Sequence, residues 1–168
     1  MSEWLHRWRA LRALPLLWLA AVAGCGFHLQ GREPLPQLLQ TIHLDATDGQ
    51  SEFVQALRAS LAASGARVVD AGGEGVTTVR ISQDRVNERV LSVSARNIPT
   101  DYELTYEVQV QVTSAGAELI PFETLTLTRI YSFDERQMLA KDRERDALLD
   151  LLARELAGVA LRRLYSLH

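Results

Sequence analysis

TDYELTYEVQVQV, residues 100–112, alternates strictly. Tyr102, Leu104, Tyr106, Val108, Val110 and Val112 fall on one side of an extended chain, and Asp101, Glu103, Thr105, Glu107, Gln109 and Gln111 fall on the other. A period of two over thirteen residues predicts a long strand with one packed face and one polar face. TSAGA at 113–117 supplies a turn, after which Leu125, Leu127, Tyr131 and Phe133 continue the apolar side with Thr124, Thr126 and Thr128 opposite. The pair reads as an antiparallel hairpin with a one-sided sheet face. Two uses remain open for its polar side, a solvated surface or a surface for a partner or ligand.

Upstream of the hairpin the pattern changes type. QTIHLD (40–45) alternates with Ile42 and Leu44 on one side, and reads as a first strand. Ser51 is placed to cap a helix in which Phe53, Val54, Leu57 and Leu61 recur at helical spacing, and Gly65 stands where such a helix stops. ARVV (66–69) is a second strand. Strand, helix and strand with short links predict a βαβ unit with parallel strands. The stretches 76–81 and 86–94 are β-rich but interrupted by polar residues.

From Asp142 to Leu167 the apolar stripe Leu148, Leu149, Leu152, Leu156, Val159 and Leu164 predicts a closing helix, with Arg162 and Arg163 at the end the helix dipole favours for cations. Two amphipathic helices must cover the apolar side of the sheet. The expected fold is therefore α+β, a two-layer sandwich of two helices on one face of a mixed β-sheet of about four strands.

Before this domain lies a different kind of segment. Arg7, Arg9 and Arg12 precede an uncharged run from Ala13 to Gly24, followed at once by Cys25, the only cysteine of the chain. A basic start and a short apolar stretch form a secretory signal pattern, too short for a bilayer-spanning helix. One cysteine cannot make an internal disulfide. VAGC (22–25) resembles the lipobox of bacterial lipoproteins, which makes Cys25 the expected lipid anchor and mature N-terminus, at the outer membrane because Gly26 is no retention signal. GREPLP (31–36) has two prolines within three residues and reads as a tether. The expected organisation is a signal peptide at 1–24, a lipidated tether at 25–36 and one domain at 37–168.

Removing residues 1–24 takes Arg7, Arg9, Arg12 and Glu3 from totals of 18 basic and 21 acidic residues, leaving 15 and 20, a net charge of −5. An acidic secreted domain is not a nucleic-acid binder by composition. Of the histidines outside the signal and the last position, His28 and His43 have no His, Cys or carboxylate at metal-ligand spacing. No G-x-S-x-G, P-loop or dinucleotide glycine pattern occurs, so a binding or assembly role without catalysis, metal or cofactor is expected.

CGFHL (25–29), QMLAKD (137–142), the Arg96-Asn97 loop, Asp101-Tyr102 at a strand start and LIP (119–121) together resemble the lipopolysaccharide-assembly lipoprotein LptE family over nearly the whole mature chain. Where the family often continues with arginine after Leu29, Gln30 stands here, with Arg32 two places on, so no charged role passes to that position. The resemblance implies a plug inside the outer-membrane β-barrel LptD, in a one-to-one complex, aiding barrel assembly and delivery of lipopolysaccharide to the outer leaflet. It also implies that Arg96 and Lys141, the sole lysine, contact lipopolysaccharide. The plainer alternatives are a loop arginine facing water and a lysine paired with Asp142 or Glu144. An accessory lipoprotein of a periplasmic lipid transport system, acting outside any barrel, would share the anchor and the domain.

Overall fold

The structure, a computed structural model, describes residues 35–132 and 138–167, with the side chains of residues 138–142 outside the description. The signal segment, Cys25, His28, most of the tether, Phe133, Asp134 and Gln137 lie outside the described residues.

After a 3-10 turn at Gln37–Leu39 the chain forms β1 (Thr41–Ala46), α1 (Glu52–Ala63), β2 (Arg67–Val69), β3 (Thr77–Val93), β4 (Pro99–Ser114), β5 (Ala117–Ser132) and α2 (Met138–Tyr165). One mixed sheet has the order β2-β1-β3-β4-β5. β1 runs parallel to both β2 and β3, whereas β3-β4 and β4-β5 are antiparallel. The fold class is as expected, with five strands in place of about four.

Its third strand explains the difference. The register shifts between Ile81 and Gln83, a bulge that moves the inward face from Val79 and Ile81 to Asp84, Val86 and Glu88, which pair with the inward-facing Val108, Tyr106 and Leu104. A period-two pattern read across that bulge breaks in two, which is why 76–81 and 86–94 look like separate pieces.

α1 is bounded by its sequence signals. The Ser51 hydroxyl accepts from the Val54 amide at 3.2 Å. At the other end the amide of Gly65 (φ 93°) donates to the Ala62 carbonyl and that of Ala66 to the Leu61 carbonyl, both at 3.0 Å, a Schellman closure. Phe53, Val54, Leu57 and Leu61 are buried against Ile42, Val79, Val108 and Val110 in a single core that Leu152, Ala153, Leu156, Ala157, Ala160 and Leu164 of α2 complete. The alanines of α2 had no part in the expected stripe. Small side chains give a helix close approach to a neighbour without contributing to an apolar pattern.

α2 already includes Met138 to Lys141, which the helix expected from Asp142 leaves out, so MLAKD lies within the helix instead of preceding it. The cause is local: Met, Leu, Ala and Lys at 138–141 are all strong helix formers, although none belongs to the apolar stripe.

Candidate functional site

Arg96 stands in the connection between β3 and β4. The Ser94 amide donates to the Ile98 carbonyl at 2.7 Å, the Asn97 amide to the Ser94 carbonyl at 2.9 Å, and the Ile98 amide to the Ser94 hydroxyl at 3.3 Å. Asn97 takes φ 60°, a left-handed conformation that asparagine tolerates better than most residues. This tight closure leaves Arg96 exposed at the tip of the hairpin. Around it the end of β3 carries Val90, Leu91 and Val93, 47%, 40% and 51% exposed.

Lys141 lies in the first turn of α2. Ion pairs fix how this helix runs over the sheet: Arg145 Nε meets Glu88 of β3 at 2.9 Å, Arg129 of β5 meets Glu155 at 2.7 Å, and Arg163 meets Glu123 at 2.8 Å. Since Glu88 lies toward the Arg96 loop and Glu123 toward the Ala115-Gly116 turn, α2 starts at the hairpin-tip end and runs away from it. The topology therefore brings the Arg96 loop and the Lys141 turn to the same end of the sheet. Cys25 lies outside the described residues.

Between these two segments the strands are tied by a polar cluster that periodicity does not reveal. Asp101 is paired across the ladder with Ser92 on one side and Ser132 on the other. Ser132 donates to Oδ1 of Asp101 at 2.7 Å, and Ser92 donates to Oδ2. The Ser92 hydroxyl also lies 2.7 Å from that of Thr100. These bonds, that from Ser92 foremost, hold the Asp101 carboxyl below the usual carboxylate range. One position on, Tyr102 and Tyr131 stack with ring centroids 5.4 Å apart on the helix-facing side.

The polar face of the sheet pairs largely with itself. Arg89 Nε donates to Glu103 at 2.5 Å, Ser82 to Gln109 at 2.7 Å and Gln111 to Glu118 at 2.7 Å, and the hydroxyls of Thr105 and Thr128 lie 3.2 Å apart. Ile130, 63% exposed, is the most open large apolar residue on this side. A depression of about 520 Å3 between α1 and α2, along Ala56, Ala59, Ser60 and Ala63, includes neither Arg96 nor the start of α2. His43 bonds through Nδ1 to the Val69 carbonyl at 3.2 Å, a structural use. Among the described residues no three His, Cys, Asp or Glu side chains gather in a way that could hold a metal ion, and no helix is long and apolar enough to cross a membrane.

The family model described as LptE, Lipopolysaccharide-assembly, matches residues 39–164. The LPS-assembly lipoprotein LptE of Pectobacterium atrosepticum is 28% identical over 147 residues, covering 87% of this chain and 79% of that protein. Among solved structures, the rare lipoprotein B from Shewanella oneidensis superposes with a TM-score of 0.67 at 27% identity, over 75% of this chain and 94% of that one. The solution structure of lipoprotein B from Nitrosomonas europaea gives a TM-score of 0.68 at 27% identity, over 84% and 91%.

Proposed function

The chain belongs to the lipopolysaccharide-assembly LptE family, and from that premise we propose that it is the lipid-anchored plug of the outer-membrane barrel LptD, in a one-to-one complex, handling lipopolysaccharide on its way to the outer leaflet. The family is one of non-enzymatic assembly lipoproteins of lipopolysaccharide. Placement at the outer membrane through Cys25, with residues 1–24 removed and 25–36 as tether to the domain at 37–168, is part of the same proposal. Several acyl chains on one residue would hold the domain at the bilayer surface, each buried methylene adding roughly 0.8 kcal/mol.

What supports lipopolysaccharide handling is that the Arg96 loop, preceded by exposed Val90, Leu91 and Val93, and the Lys141 segment of α2 lie at the same end of the sheet. Lipid A joins phosphates to acyl chains, and this end of the domain offers cations and aliphatic surface together. Arginine meets a phosphate as a planar fork and lysine as a point charge, with charge-assisted bonds stronger than neutral ones. For the plug, the polar sheet face bearing Glu103, Glu107, Gln109 and Gln111 suits a polar barrel lumen.

Reversing both charges, Arg96→Glu with Lys141→Glu, is expected to weaken binding of purified lipopolysaccharide while circular dichroism stays unchanged. Full binding by the intact double variant would remove the pair from the mechanism. For assembly, depleting the lipoprotein is expected to lower the yield of folded LptD, and a normal yield would contradict that role.

A further inference from the structure

We propose that Asp101 is a positioning residue for lipopolysaccharide contact: it ties β5 to the base of the β3-β4 hairpin that presents Arg96. The proposal rests on the reading of Arg96 and Lys141 as the contact residues.

Each oxygen of the Asp101 carboxylate is engaged by a different neighbouring strand, Oδ1 by Ser132 of β5 at 2.7 Å and Oδ2 by Ser92 of β3. A carboxylate accepts through both oxygens at once, so one side chain of β4 can bridge its two neighbours β3 and β5, which do not touch. The bridge stands where the ladder itself is weak. Register shifts on both sides of Ser92 interrupt the β3-β4 pairing. Where backbone rungs are lost, charge-assisted side-chain bonds take over the work of holding the strands in register.

Charge alone would argue against an anion at this end. A carboxylate beside the loop of a cation that meets phosphate repels the ligand, so a purely electrostatic Asp101 would oppose binding. The two roles therefore predict opposite signs. Loss of the carboxylate tightens binding if only its charge matters, and weakens it if the tie positions the Arg96 loop.

The experiment uses the full-length lipoprotein in detergent, with purified lipopolysaccharide as probe, and compares Asp101→Ala, Asp101→Asn and the milder Ser132→Ala. Amide hydrogen exchange at Tyr131 and Ser132 is followed alongside binding. Asp101→Ala is expected to weaken binding by roughly three- to tenfold and to speed exchange at the end of β5, Ser132→Ala to do both to a smaller extent. Asp101→Asn keeps one acceptor oxygen and adds an amide that a serine hydroxyl can accept from, and is expected to stay within about twofold of the parent. Unchanged or tighter binding by both Asp101→Ala and Ser132→Ala would overturn the proposal, as would equal effects of Asp101→Ala and Asp101→Asn. If instead Arg96→Glu with Lys141→Glu binds normally while Asp101→Ala still speeds exchange, the contact reading has failed and the tie is structural only, which also removes the positioning role.

Discussion

Two tyrosines on the helix-facing side of the sheet use their hydroxyls in opposite ways. The Tyr106 hydroxyl accepts from the Phe53 amide at 3.2 Å, taking up one of the donors left over at the start of α1. The Tyr131 hydroxyl is enclosed and makes no hydrogen bond of normal geometry, with the Glu88 carboxylate, which pairs with Arg145, as its polar neighbour. Removing a used hydroxyl strands its partner, whereas removing an unused one strands nothing. Tyr106→Phe is thus expected to cost about 1–3 kcal/mol and Tyr131→Phe to be neutral or stabilising, as measured by urea unfolding. Equal costs would refute the distinction. Burial, with Glu88 adding to it, pushes the Tyr131 phenol up to about 12. A pKa raised in the folded state means stability that is complete below the unfolded value near 10 and lost as pH rises toward 12. The urea midpoint is expected to fall over that range, and less so in Tyr131→Phe. Tyr102, Leu104, Tyr106 and Val108 were legible as one inward face from alternation alone. The partners of Tyr106 and Asp101 were not, because they stand 53, 9 and 31 residues away and only the register brings them together.

At the scale of elements, α1 is the most legible part of the chain. Its cap, its buried positions and its stop are local signals, and each does in the fold what its residue type predicts. Gly65 is the sharpest of them. At φ 93° a side chain is strained, while a Cβ placed there would meet only Leu35 Cδ1 at 3.8 Å, an ordinary contact. Gly65→Ala is therefore expected to cost about 1 kcal/mol through backbone conformation rather than crowding, read as a lowered urea midpoint with an unchanged slope. A cost near zero would mean that the closure relaxes without the left-handed residue. β3 was the least legible element, since its bulge reverses which residues face inward and puts Asp84 and Glu88 on the covered side. The start of α2 was misplaced for a related reason: amphipathicity marks where a helix is covered by a neighbour, not where its backbone begins.

At the scale of the molecule, the tip of the β3-β4 hairpin and the described start of α2 lie at one end of a five-stranded sheet. That convergence follows from chain order, since β5 must reach the tip end before α2 can run back. It could be inferred from sequence only once the strand count and the direction of α2 were known. The anchor at Cys25, the tip bearing Arg96 and the polar sheet face are distinct requirements of one proposed role, a domain held at the membrane, seated in a barrel and meeting lipopolysaccharide. The seat in the barrel is the central claim, and affinity capture of the full-length lipoprotein from detergent-extracted outer membranes tests it most directly. The account predicts recovery of one large barrel protein, LptD, at one to one. Recovery of the lipoprotein alone, or with periplasmic transport components and no barrel, would contradict it.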